Sequence, residues 1–180
     1  ADPRCTYGCA MLNLTIASSL QGHDAPLTTA LDLLAEDLAT SLQRTAGVIP
    51  DGASPLLEGG VPDELRTALE DIPDSIESQQ LSNSGYVVDT LQTALHDALT
   101  AASAEEAIVT AVNRGGDTDT IGAIAGAVAG ARFGSSSLPD HWLDEIDDRD
   151  ELERVATTLT GHPHNTRSRD SSSEGEADGI

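Results

Sequence analysis

The sequence predicts an all-α domain, on three observations. Apolar residues recur every three or four positions along most of the chain, Gly and Pro residues separate these segments, and no stretch alternates apolar and polar residues as a strand would. The 180 residues are enough for one domain with a sizeable core and too few for two full domains. We expect a compact helical bundle over residues 1–160, followed by a polar, Ser-rich, disordered tail over residues 161–180.

The first half of the sequence predicts three helices. The first ends at Gly22 and has an apolar stripe of Cys5, Cys9, Leu12, Ile16 and Leu20. The second begins at Asp24 or Pro26 and is closed by Gly47, with a stripe of Leu27, Leu31, Leu34, Leu38 and Leu42. Pro and Gly residues indicate a loop over Val48–Pro62, and a short helix is expected over Asp63–Glu70.

The second half predicts at least four more helical segments. Ser84 is the expected cap of a helix whose stripe is Val88, Leu91, Leu95 and Leu99. Ser103 and Glu106 have the spacing of a capping box, which predicts a helix over Ala104–Asn113. A glycine-rich helix, a segment over Leu138–Leu143 and a last helix over Glu151–Leu159 complete the expected bundle.

The charge of the chain is strongly acidic. It has 31 Asp and Glu residues against 9 basic residues, all of them Arg, and a formal net charge of −22. Nucleic acids and anionic membranes would repel such a surface, so neither is an expected partner. We interpret the acidity as a solvated, halophilic surface suited to a high-salt cytoplasm. An acidic decoy or an acidic interaction module is the alternative.

Cys5 and Cys9 share one face of the first helix, where a disulfide would strain the backbone. No further soft ligands follow at zinc-site spacing, so we expect buried, reduced thiols. The opening residues ADPRCTYG do not have the pattern of a signal peptide, and the longest apolar run, Ile121–Ala131, is too short to span a bilayer. These features favour a cytoplasmic protein.

The segment GGDTDT contains the clearest candidate for a chemical site. Asp117, Asp119 and Thr120 offer hard oxygen ligands within four residues, which suits Mg²⁺, Mn²⁺ or Ca²⁺ rather than Zn²⁺. Gly115 and Gly116 allow a tight turn before them. The alternative is structural, because Asp at the start of a helix ordinarily serves as a cap.

Glycine recurs at every fourth position after this segment, at Gly122, Gly126, Gly130 and Gly134. Glycine inside a helix costs roughly 1 kcal/mol relative to Ala, so the pattern suggests that a neighbouring helix packs closely against this face. We interpret Gly126, Gly130 and Gly134 as packing positions. A helix buried in this way would hold its N-terminal carboxylates rigidly.

The segments VNRGGDTDTIGAIAGAVAGARFG and LPDHWLDEI resemble the C-terminal signature of the ADP-ribosylglycohydrolases, which include the dinitrogenase-reductase-activating glycohydrolases. ADPRC and NSGYVVDTLQTALHDAL match the same family in the expected order. The resemblance covers most of residues 1–160. It implies an all-α bundle with a binuclear Mg²⁺ or Mn²⁺ centre, and hydrolysis of the bond between ADP-ribose and a protein side chain or a small ADP-ribosyl compound.

The resemblance also implies roles for particular residues. Asp117, Asp119 and Thr120 correspond to metal ligands, and Gly85 and Tyr86 to a segment that lines the ADP-ribose pocket, where the aromatic ring can stack on a planar or sugar face. An aromatic residue packed in the core is the alternative for Tyr86. Asp2, Pro3 and Arg4 match a motif that shapes the pocket wall. No residue is assigned as the catalytic acid or base.

The family's N-terminal half, with its other metal ligands and a phosphate-binding loop, has no counterpart in this sequence. We therefore expect the chain to correspond to the second half of the enzyme, a fragment with little activity alone. The alternative is a catalytically inactive remnant, or a complementing half that associates with a separate N-terminal chain.

Overall fold

A computed structural model of the chain describes residues 2–36, 60–70, 72 and 76–160, and the regular structure within them is helical, as predicted. The helices are α1 (Pro3–Leu20), α2 (Pro26–Glu36), α3 (Asp63–Glu70), α4 (Val87–Thr100), α5 (Ala104–Asn113), α6 (Thr118–Phe133), α7 (Asp140–Leu143) and α8 (Arg149–Thr160). Short 3-10 turns lie at Ser78–Gln80 and Ser135–Ser137. The chain divides after Pro139 into two compact units.

The first unit is built around α6 and α4. Helix α6 packs against α5, α4 and α1, while α2 packs against α1 and α3 against α4. The largest fully buried apolar side chains come from four of these six helices: Met11, Leu14, Leu65, Leu69, Leu95, Ile121 and Val128. Because α6 contributes mostly Ala and Gly, its neighbours supply most of the side-chain volume of this core.

The buried face of α1 differs from the predicted stripe. Tyr7, Met11 and Leu14 are buried, whereas Cys5 and Cys9 are exposed free thiols. The expectation of buried thiols is therefore wrong. Both sets of residues have helical spacing, and the face with the larger side chains removes more apolar area from water.

Most predicted helices lie where the pattern placed them. Helix α3 has the predicted bounds, and Val88, Leu91 and Leu95 of α4 are buried, with Leu99 packed against the core. Leu27 and Leu34 of α2 are also buried. The predictions for Leu38, Leu42 and Gly47, for residues 48–59 of the loop and for the tail over residues 161–180 fall outside the described residues.

The two predicted helix caps have different outcomes. Ser103 caps α5 by accepting a hydrogen bond from Glu106 N at 3.1 Å, and the Glu106 carboxylate accepts one from Ala102 N at 2.8 Å. Ser84 does not cap α4, whose N-cap is Tyr86. The Ser84 hydroxyl instead accepts a hydrogen bond from Tyr86 N at 3.3 Å and donates one to the Asp89 carboxylate at 2.6 Å, which orders the segment before the helix.

The glycines of α6 do not all serve close packing. A Cβ atom on Gly122 would lie 3.2 Å from Val112 of α5, a tight contact, and one on Gly126 would make an ordinary contact of 3.7 Å with Ile108. Within the described residues, nothing lies within 4 Å of a Cβ atom built on Gly130. Gly134 ends the helix with φ of +81°. The packing interpretation is therefore wrong for Gly130 and Gly134.

The second unit contains α7 and α8. Its surface charges form local pairs along the chain, such as Arg149 with Glu153 at 2.7 Å and Arg154 with Glu151 at 2.6 Å. Across the described parts of both units, none of the helices combines the length and apolarity needed to cross a membrane.

Candidate metal and substrate site

The turn between α5 and α6 holds the start of α6 against the segment before α4. Gly115 and Gly116 have φ of +75° and +67°, a region that favours glycine. A Cβ atom on Gly116 would lie only 2.1 Å from the Asn83 carbonyl oxygen, so no side chain fits. That carbonyl accepts a hydrogen bond from Asp117 N at 3.0 Å, and the Asn83 amide donates to the Arg114 carbonyl at 3.0 Å.

A buried ion pair anchors the residue that precedes this turn. Arg114 donates from Nε and Nη2 to the two oxygens of Asp97 on α4, at 2.6 and 2.5 Å, and the Asp97 side chain is 1% exposed. The same guanidinium donates to the carbonyl and hydroxyl oxygens of Ser78 at 3.0 and 2.9 Å. This pair was not predicted from the sequence, where Asp97 is one of two Asp residues in α4 and has no distinguishing pattern.

The three predicted ligands lie together at the start of α6. Asp117 is at the N-cap position but its side chain makes no capping hydrogen bond, and its Oδ1 instead accepts from Thr120 Oγ1 at 2.9 Å. The pKa of Asp119 is lowered, first by a hydrogen bond with the Asp117 side chain and then by the N–H groups of Thr120 and Asp119. The capping alternative therefore does not account for the Asp117 carboxylate.

These oxygen donors are the type that Mg²⁺ and Mn²⁺ prefer, and the helix N-terminus lies beside them. Asp117 is half-buried, while Asp119 and Thr120 are exposed. In the part of the chain that the structure describes, no group of three or more His, Cys, Asp or Glu side chains could hold a metal ion. Two carboxylates and a hydroxyl are suited in their chemistry to a hard divalent cation that takes its other ligands from elsewhere.

Gly85 brings the predicted substrate segment to the predicted metal ligands. A Cβ atom built on Gly85 would lie 2.9 Å from Asp117 Oδ2, closer than such atoms normally approach. The absence of a side chain at this position therefore allows the Asp117 carboxylate to occupy its place. The two candidate sites, predicted from segments about thirty residues apart, form one surface.

Tyr86, next to Gly85, is half-buried and packs against the main core while its hydroxyl reaches charged groups. The hydroxyl accepts from Arg4 Nη1 at 2.6 Å and lies 2.9 Å from both carboxylate oxygens of Glu64. Asp2 caps α1 through Arg4 N at 2.9 Å and pairs with the Arg4 guanidinium at 2.6 Å. Part of the DPR motif thus contacts the Tyr86 side of the site, while Glu64 was not anticipated from the sequence.

Comparisons with known proteins identify relatives of the chain. The sequence profile of the ADP-ribosylglycohydrolase family matches residues 1–169. The ADP-ribosyl-dinitrogen reductase glycohydrolase of Rhodospirillum rubrum is 42% identical over 71 residues, which are 39% of this chain and 24% of that protein. The ADP-ribosylarginine hydrolase Tri1 of Serratia proteamaculans is 35% identical over 80 residues, 44% of this chain and 22% of its own length.

A human relative shows a shorter match. The ADP-ribosylhydrolase ARH3 of Homo sapiens is 35% identical over 57 residues, which are 32% of this chain and 16% of that protein. The matched stretches thus span about a quarter or less of the three relatives. Because the family profile covers nearly the whole sequence, the chain belongs to the ADP-ribosylglycohydrolase family.

Proposed function

We propose that this chain forms part of a metal-dependent hydrolase that removes ADP-ribose from modified protein side chains or from small ADP-ribosyl compounds. One observation carries the proposal. The space left by Gly85 admits the Asp117 carboxylate, so the candidate metal ligands adjoin the segment that contains Tyr86. Family membership supports the reaction class, and the names of the relatives indicate ADP-ribosylated acceptors.

Asp117, Asp119 and Thr120 would hold a Mg²⁺ or Mn²⁺ ion through their oxygen atoms. A bound divalent cation would supply Lewis-acid stabilisation of ribose oxygens and orientation of an attacking water. Tyr86 offers a ring face for a planar or sugar group of the substrate. Asn83 and the Asp97–Arg114 pair fix the turn that precedes the proposed ligands. The positions of these ligands would therefore be set before substrate arrives.

A complementing or inactive half is the second candidate. The three proposed ligands come from one turn of one helix, and Mg²⁺ binds weakly where few carboxylates contribute. Further carboxylates, supplied by a segment that corresponds to the remaining length of the relatives, would complete the centre. On this view the isolated chain releases little ADP-ribose.

The test measures ADP-ribose released from ADP-ribosyl-arginine in Mn²⁺ and in EDTA. The first sample is the 180-residue chain. The second is a chimera in which a stretch of this chain that includes Asp119 replaces its counterpart in the Rhodospirillum rubrum protein. We expect weak or no release by the chain and Mn²⁺-dependent release by the chimera, which D119N abolishes.

Each outcome separates the candidates. Robust release by the chain alone would contradict the complementing-half candidate. A chimera that melts cooperatively, binds Mn²⁺ and still releases no ADP-ribose would contradict the hydrolase proposal. An active chimera whose ADP-ribose release is unchanged by D119N would show that Asp119 is not a metal ligand.

A further inference from the structure

The Tyr86 hydroxyl is held between two oppositely charged side chains from different helices. Arg4 of α1 donates to it at 2.6 Å, and it lies 2.9 Å from each carboxylate oxygen of Glu64 on α3. Arg4 and Glu64 are themselves 3.5 Å apart, and the Arg4 guanidinium lies over the Tyr86 ring, 5.4 Å from its centroid. Three distant segments of the chain therefore meet at one phenol.

The chemistry of the phenol decides what this contact leaves available. A tyrosine hydroxyl has one proton, and Arg4 can only donate, so the proton of Tyr86 goes to Glu64. Burial first, and then the hydrogen bond to Glu64, raise the pKa of Tyr86, so the phenol stays neutral near pH 7. Its proton is already committed to Glu64, and a ligand would meet the part of the ring that the core and Arg4 leave exposed.

We propose that Glu64 is a positioning residue, which fixes the orientation of the Tyr86 ring for stacking against ADP-ribose without touching the substrate itself. This inference rests on the proposed function of the site. Glu64 suits the role because its side chain is 54% exposed and adds little to the core, so its contacts with Tyr86 and Arg4 account for its placement. Arg4 balances the charge of Glu64. Asp2 in turn orients Arg4 through an ion pair in which Asp2 Oδ2 lies 2.6 Å from Arg4 Nη2.

A double-mutant cycle tests whether Glu64 acts through the Tyr86 hydroxyl. ADP-ribose affinity is measured by calorimetry in Mn²⁺ for the wild-type chain and for E64A, E64Q, Y86F and E64A/Y86F. We expect E64A to weaken binding roughly fivefold to tenfold, as for the loss of a charge-assisted hydrogen bond. E64Q keeps an acceptor oxygen and should restore affinity to within about twofold of wild type.

The decisive comparison is E64A in the Y86F background, where we expect less than about a twofold further loss. An equal loss in both backgrounds, or no loss in either, would overturn the proposal. E70A is the matched control, because Glu70 lies on the same helix and pairs with Arg66 at 3.6 Å instead. It should leave ADP-ribose affinity unchanged.

A second readout keeps this inference separate from the proposed function. If the isolated wild-type chain binds no ADP-ribose, as the complementing-half candidate allows, the Tyr86 pKa is measured instead, by NMR on tyrosine labelled with ¹³C. Glu64 raises that pKa, so it should fall in E64A and stay unchanged in E70A. An unchanged Tyr86 pKa in E64A would overturn the positioning role.

Discussion

At the scale of single residues, the candidate site depends on the absence of a side chain at Gly85. The Asp117 carboxylate occupies the space where a side chain would begin, with Oδ2 at 2.9 Å from an ideal Cβ position. A methyl group at position 85 would push the Asp117 carboxylate aside and leave the backbone of α6 in place. This makes Gly85 a position where affinity for a cation can change while the fold does not.

We therefore predict that G85A weakens Mn²⁺ binding roughly 10- to 100-fold, as displacement of a ligand's support typically does. The free energy of unfolding should change by less than about 1 kcal/mol, because the methyl meets the mobile end of a side chain. Mn²⁺ affinity is measured by electron paramagnetic resonance, with G130A as the control. Wild-type affinity in G85A would show that Asp117 is not a ligand.

Asp2 provides a pH-dependent prediction at the same scale. The Arg4 side chain first, and then the Arg4 backbone N–H, lower the pKa of Asp2 from 3.8 to about 2. Since the folded pKa is below the unfolded value, the stabilisation by this carboxylate is fully present above pH 3.8 and is lost as the pH falls through about 2. A ¹³C titration of the Asp2 carboxyl should have its midpoint near the lower value. A midpoint near 3.8 would mean that Asp2 and Arg4 do not pair in solution.

At the scale of elements, the turn between α5 and α6 requires glycine in a way that α6 itself does not. Gly116 combines φ of +67° with an approach to the Asn83 carbonyl that excludes a Cβ atom. Gly130 lies within α6, and the described residues leave its surroundings open. The same substitution at these two glycines should have opposite effects.

G116A should destabilise the chain by at least about 2 kcal/mol, from backbone strain and the clash with Asn83. G130A should stabilise it by about 0.5–1 kcal/mol, because Ala has the better helix propensity. Urea denaturation followed by circular dichroism measures both. Equal effects at the two positions would contradict the packing described for this turn.

Arg132 shows how α6 is fixed at its other end. Its guanidinium donates to the Ala98 carbonyl in the last turn of α4 and lies 4.7 Å from the centroid of the Phe133 ring. Burial lowers the pKa of Arg132, and the hydrogen bond and the ring offset the loss of water. Helix α6 is thus tied at both ends, which holds its first turn in place.

At the scale of the whole molecule, net charge is the dominant feature. A formal charge of −22 on 180 residues gives strong self-repulsion in dilute buffer. Salt shortens the reach of this repulsion, from about 10 Å at 0.1 M to about 3 Å at 1 M. We propose that the chain is adapted to high salt and predict that its melting temperature rises with KCl between these concentrations. A melting temperature that stays constant or falls would contradict the proposal.

The helical class and most helix positions were predictable because they depend on periodicity and on local signals such as the Ser103 cap. The buried face of α1 was not predictable, because two faces of this helix have apolar residues at helical spacing. Cys5 and Cys9 lie on the exposed face, and Tyr7 and Met11 lie on the buried face. Local patterns also placed Asp117 and Tyr86 among the candidates. The contacts that join them, through Gly85 and Glu64, are tertiary and leave no periodic trace in the sequence.

We propose, above all, that Asp117, Asp119 and Thr120 hold a divalent cation beside Gly85 and Tyr86. The most direct test adds Mn²⁺ to the ¹⁵N-labelled chain in high KCl and records which amide resonances its paramagnetism broadens. We predict broadening centred on residues 117–120 and 85–86, which D117N and D119N abolish. Broadening spread over the acidic surface, or equally present in D117N, would contradict the claim.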